Sequence, residues 1–212
     1  MQVLTARRAR LALLAGVLVL AALLGGCSAF ESEPPGPTST PLPGTVFDPP
    51  REVGDFTLTS HTGDTVSLSD WRGKAVMIFF GFTNCPDICP TTLAEFKRVK
   101  RELGDDAAQV EFVFISVDGE RDTPERLAAY VGAFDPAFIG LTGDEAYLRT
   151  IGRDYGLFFQ KVYLDNTQDE YLVDHTASSF VVGPEGRLRI TYPYGTEPEI
   201  IAQGVRRLLE NG

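Results

Sequence analysis

The chain has 212 residues, 43% of them hydrophobic, which is enough for one packed core with short appendages. Its formal net charge of −10 argues against a nucleic-acid ligand and against electrostatic attachment to an anionic membrane. Three cysteines are too few for a scaffold built on disulfides.

The N-terminal residues carry an address. Arg7, Arg8 and Arg10 precede an uncharged run from Leu11 to Phe30, and within it lies Leu24-Gly25-Gly26-Cys27. A basic start, an apolar stretch and small residues before a cleavage point describe an export signal. The tetrapeptide resembles the lipobox of bacterial lipoproteins, which implies a signal peptide over residues 1–26, cleavage before Cys27 and a lipid anchor on its sulfur. The alternative is an uncleaved helix, since 20 uncharged residues can span a bilayer. Both readings place the domain on the extracytoplasmic face of the cytoplasmic membrane, where disulfides are permitted. Removing residues 1–26 leaves 16 basic and 29 acidic residues, a charge of −13. Residues 28–50 hold seven of the 14 prolines. The segment 27–50 is therefore expected to be a lipidated cysteine and a tether, able to reach roughly 70 Å when extended.

The folded domain is expected over residues 51–212. Phe56–Thr59 and Thr65–Leu68 alternate in period two around Thr62-Gly63-Asp64 and read as a hairpin. Ala75–Phe80 is apolar throughout, as in a strand buried on both faces. Thr91–Leu103 has Leu93, Phe96, Val99 and Leu103 at helical spacing, with Gly104 to end it. A strand over Val110–Val117 is followed by a loop, a helix from Pro124 to Ala133, a short strand at Phe138–Leu141 and a helix over Asp144–Tyr155. Leu157–Tyr163 reads as a strand and the acidic stretch Asp165–His175 as a loop. Ser179–Val182 and Arg187–Tyr192 flank Gly183-Pro184-Glu185-Gly186 as a second hairpin, and Glu197–Glu210 closes the chain as a helix. Alternating strands and helices predict a mixed α/β sheet with helices on its faces.

Cys85 and Cys89 lie where the apolar strand gives way to a helix, so the N-terminal dipole favours thiolates. Residues i and i+4 on one helix face have β-carbons about 5–6 Å apart, wider than a disulfide prefers, so a Cys85–Cys89 bond needs a distorted first turn. Pro86 and Pro90 make that distortion accessible. Left reduced, the pair could hold a soft ion such as copper(I) or zinc, with a third ligand from elsewhere. The chain has two histidines. His61 sits at a hairpin tip and reads as a solvated turn residue. His175 precedes a strand, and because the element order resembles the thioredoxin-like fold, that junction is expected to face the cysteine loop. Its second ring nitrogen needs an acceptor, for which Asp174 is the adjacent candidate. Asp87, between the cysteines, compensates the helix dipole and would couple metal capture to proton release. Asp118 and Asp122 are expected to shape their loop and cap the next helix.

Gly81-Phe82-Thr83-Asn84-Cys85-Pro86-Asp87-Ile88-Cys89-Pro90, Ile115-Ser116-Val117-Asp118 with Arg121-Asp122-Thr123-Pro124-Glu125, Leu141-Thr142-Gly143 and Val173-Asp174-His175-Thr176 together resemble the Sco/SenC family, in family order. The resemblance implies a thioredoxin-like fold with an added N-terminal hairpin and an inserted strand/helix element. It implies copper, Cu+ or Cu2+, held by Cys85, Cys89 and His175. It also implies delivery to the dinuclear copper site of cytochrome c oxidase subunit II, or to another extracytoplasmic copper protein. One departure is Gly119, where the family often has proline. The competing reading is a thiol–disulfide oxidoreductase with Cys85 and Cys89 as its catalytic pair. A three-residue spacer, and no proline just before Ser179, tilt the sequence toward metal. A peroxidase is disfavoured because no Pro-x-x-x-Thr-x-x-Cys pattern precedes Cys85.

Overall fold

A computed structural model of the chain describes residues 44–164 and 170–211. The expected signal peptide, Cys27 and most of the tether lie outside these residues. The strands are β1 (Thr45–Arg51), β2 (Thr57–Ser60), β3 (Thr65–Ser67), β4 (Ala75–Gly81), β5 (Val110–Ser116), β6 (Ile139–Thr142), β7 (Phe159–Tyr163), β8 (Tyr171–His175), β9 (Ser179–Val182) and β10 (Leu188–Tyr192). The helices are α1 (Ile88–Leu103), α2 (Pro124–Phe134), α3 (Glu145–Tyr155) and α4 (Pro198–Asn211).

Eight strands form one mixed sheet in the order β1-β10-β9-β4-β5-β6-β2-β3. The mixed α/β architecture expected from the alternation is present. β4, β5 and β6 run parallel, and β9 lies antiparallel on the other side of β4. Every residue of β4 is buried, which is why that stretch reads as a continuous apolar run. α1 packs against α4 and α2. Its buried residues Leu93, Phe96, Val99 and Leu103 are those of the apolar stripe, and burying each fully is worth about 1.5–3 kcal/mol.

The structure differs from the sequence reading in three places. The sheet begins at Thr45, inside the stretch assigned to the tether, because β1 pairs antiparallel with β10 and forms the edge of the sheet. Two prolines in β1 hid it, yet proline is tolerated on an edge strand. Tyr171–His175 is a strand and not the end of a loop: it pairs with β7 from Tyr163↔Tyr171 to Phe159↔His175. Its alternation of buried Tyr171 and Val173 was masked by the acidic residues before it. Finally, α1 begins at Ile88, three residues before the expected start, so Pro90 sits within its first turn, where no intrahelical N–H is needed.

Candidate metal centre

Cys85 lies two residues before Asp87, which occupies the N-cap position of α1, and Cys89 is the second helical residue. The pair therefore does not share a helix face. Instead the Cys85 sulfur acts as the cap: the Cys89 backbone N–H donates to Cys85 Sγ over 3.4 Å. That N–H is one an N-cap side chain ordinarily satisfies. The Asp87 carboxylate is exposed and makes no cap bond, but its backbone N–H also supports Cys85. Neither cysteine is in a disulfide.

The two sulfurs are electrostatically unequal. A hydrogen bond from the Cys89 side chain, aided by the backbone donors, outweighs burial and lowers the Cys85 pKa to about 4. The same shared proton, together with burial, pushes the Cys89 thiol up. The resting pair is a Cys85 thiolate facing a Cys89 thiol. Room for the buried Cys89 sulfur comes from Gly81: a β-carbon there would fall 2.8 Å from Cys89 Sγ and 2.8 Å from the Phe114 ring.

His175 arrives from the last position of β8. Its Nδ1 lies 3.0 Å from the Thr176 carbonyl oxygen. A carbonyl can only accept, so Nδ1 carries the proton and Nε2 presents its lone pair. Nε2 is 3.5 Å from Cys89 Sγ. The ring stands edge-on to Phe79 and Phe82, with centroids 5.8 and 5.9 Å away. Ligand atoms of Cys85, Cys89 and His175 all lie within 4.8 Å of one another, a spacing that one ion could bridge. Exposed Asp174 is not the partner of the imidazole; the Thr176 carbonyl has that role. His61 is also more than a solvated turn, since its Nδ1 accepts the Gly140 N–H at 3.1 Å and ties the β2–β3 hairpin to β6.

Several supporting residues escape a reading by residue type. Asp122, fully buried, accepts from the Thr83 N–H at 2.9 Å, the Thr83 hydroxyl at 2.6 Å and the Ser116 hydroxyl at 2.7 Å. Arg126 closes the other side, donating to Thr83 Oγ1 at 2.6 Å and to Asn84 Oδ1. The two residues before Cys85 are thus clamped from both sides. Thr123, rather than Asp118 or Asp122, caps α2 by accepting the Arg126 N–H. Gly119 lets two loops meet backbone to backbone, since a β-carbon there would lie 2.2 Å from the Gly143 oxygen.

The SCO1/SenC family profile matches residues 46–210. The Protein SCO2 homolog, mitochondrial, of Bos taurus is 38% identical over 156 residues, which are 73% of this chain and 58% of that protein. The chain thus spans less than two thirds of that relative. Bradyrhizobium japonicum ScoI, solved with copper bound, is 38% identical with a TM-score of 0.67, covering 74% of this chain and 98% of its own. Apo Sco1 from Thermus thermophilus is 42% identical with a TM-score of 0.70, covering 78% and 95% respectively. With these likenesses the mixed sheet is the expected thioredoxin-like fold, with a hairpin added at one edge.

Proposed function

The chain belongs to the SCO1/SenC family, and on that footing we propose that it is a copper carrier of the extracytoplasmic membrane face. It binds one ion through Cys85, Cys89 and His175. It delivers that ion to the dinuclear copper site of cytochrome c oxidase subunit II, or to another copper protein outside the cytoplasm. The lipid on Cys27 is its anchor. The observation that carries the reading is the convergence of two sulfurs and an imidazole lone pair within 4.8 Å. Two soft sulfurs and one imidazole suit copper(I) in a trigonal site, and an added water or side chain would complete a site for copper(II). Since Cys85 rests as the thiolate, the proton that leaves on binding comes chiefly from Cys89. A three-coordinate ion has room for an incoming sulfur, so transfer proceeds by ligand exchange with a partner's cysteines.

The test is titration of the reduced protein with copper(I) and copper(II), followed by metal analysis and absorption spectroscopy. Wild type is expected to bind one ion, with binding weakened in Cys85→Ser, Cys89→Ser and His175→Ala. Equal stoichiometry and affinity in all four would remove the proposed site. Thiol–disulfide exchange is the second reading, favoured by the low Cys85 pKa beside a protonated neighbour. Insulin reduction at the rate of a dedicated oxidoreductase, with copper affinity no tighter than about micromolar, would put that reading first.

A further inference from the structure

The three ligand side chains come from two separate arms. Cys85 and Cys89 hang from the end of β4, in the large sheet. His175 hangs from the β7–β8 hairpin, which among the described residues shares no ladder with that sheet. Beyond the chain's own passage from His175 into β9, which pairs with β4, side chains help to hold the imidazole beside the sulfurs. Three cations lie on aromatic rings of the hairpin. Arg149 covers Phe159 at 4.2 Å, Lys161 covers Tyr171 at 5.0 Å, and Arg121 covers Tyr171 at 3.6 Å.

Arg121 differs from the other two. Its guanidinium also lies 6.0 Å from the ring of Phe82, in the cysteine arm, and Phe82 in turn stands edge-on to His175. Its Nε donates to Asp118 Oδ2 at 2.5 Å and its Nη1 to the Tyr171 carbonyl at 2.9 Å. The Tyr171 hydroxyl closes the triangle by donating to Asp118 Oδ1 at 2.8 Å. Asp118 is buried just past the end of β5, so this triangle is tied to the centre of the large sheet. Among the described cations that lie on rings, Arg121 is the one that meets a ring of each arm.

We propose that Arg121 is a positioning residue for the metal centre: it straps the hairpin carrying His175 to the arm carrying the cysteines, and so sets whether the imidazole joins the sulfurs on one ion. This deepens the copper reading and rests on it. A planar fork is required, because one group must bond a carboxylate and a carbonyl while stacking on a ring. Lysine keeps the charge and loses the fork.

The experiment compares the purified full chain as wild type, Arg121→Lys, Arg121→Gln, His175→Ala and the control Arg187→Gln, whose ion pair with Glu52 is remote from the site by sequence and partner. Three quantities are read: amide exchange of the metal-free protein, nitrogen coupling in the electron paramagnetic resonance of the copper(II) form, and the rate of copper loss to a chelator. In Arg121→Gln, exchange over 158–163 and 171–176 should rise about tenfold while β4 and β5 amides stay protected. Nitrogen coupling should fall toward that of His175→Ala, and copper should leave about tenfold faster, the low end for losing support around a metal site. Arg121→Lys should fall between, and Arg187→Gln should match wild type. Should Arg121→Gln fail to fold, Arg121→Lys decides, and wild-type behaviour in it overturns the proposal. Wild-type exchange and spectrum in Arg121→Gln, or lost protection spread through β4 and β5, would also overturn it. Identical spectra for wild type and His175→Ala would instead sink the copper reading and this one together.

Discussion

Cys85 lies outside the helix whose first turn it caps, and that position explains its chemistry. The helix N–H of Cys89, the Asp87 N–H and the Cys89 thiol all aim at its sulfur. Its pKa near 4 means that it stays charged at pH 6, where an ordinary thiol is protonated. Since iodoacetamide attacks thiolates, peptide mapping should find Cys85 labelled and Cys89 spared at pH 6, with labelling falling as pH drops through about 4. Cys89→Ala removes the main donor and should move that fall upward. Gly81 gives a second prediction. Gly81→Ala places a methyl where the Cys89 sulfur and the Phe114 ring already stand, so copper binding should weaken by roughly tenfold or more, read by competition with a chromogenic chelator. Asp122→Ala leaves the Thr83 N–H and the Ser116 hydroxyl without their acceptor and should cost roughly 3 kcal/mol in urea unfolding. The ligands themselves were legible, because two cysteines and a rare histidine announce metal chemistry by type. Asp122 and Gly81 were not, because an aspartate in a loop and a glycine after a strand acquire their roles only when the chain brings Thr83 and Cys89 against them.

At the level of elements, strands buried on both faces and helices with a clear stripe were read from periodicity alone. The misses share a cause: β1 and β8 take their identity from a partner and not from their own residues. β1 holds two prolines, and β8 follows an acidic stretch, yet β1 completes a ladder with the distant strand β10 and β8 with its hairpin partner β7. This corrects where the domain should be cut. A fragment starting at Gly44 keeps β1, whereas one starting at Glu52 strips the strand from β10 and leaves an unpaired edge. The shorter fragment should melt several degrees lower, corresponding to a loss of about 1–2 kcal/mol, and should self-associate in sedimentation at concentrations where the longer one stays monomeric. Equal melting of the two would show that β1 adds nothing to the stability of the sheet.

For the whole molecule, charge and address work together in the proposed function. Without residues 1–26 the chain carries −13, so its surface gives little electrostatic hold on an anionic bilayer. In the proposed function attachment would rest on covalent lipid at Cys27. With the first strand at Thr45, the tether that would separate lipid from domain shortens to residues 27–44, a reach of roughly 55 Å if extended. That is still more than the width of a small domain, so under the proposed function the site would reach a membrane-bound recipient over a range of heights. Among the described residues no helix is long and apolar enough to cross a membrane; the proposed anchor belongs to the sequence before Gly44. Cys27→Ser separates the two ways in which that segment could anchor the chain. If cleavage and lipidation are the mechanism, wild type should fractionate with membranes as a species beginning at Cys27 with added acyl mass. The variant should then lose that mass and remain as the uncleaved precursor, because the modifying step precedes the cut. If an uncleaved helix is the anchor, both proteins should begin at their N-terminal methionine and carry identical, lipid-free mass save for the one substituted atom, and the lipoprotein reading would be wrong.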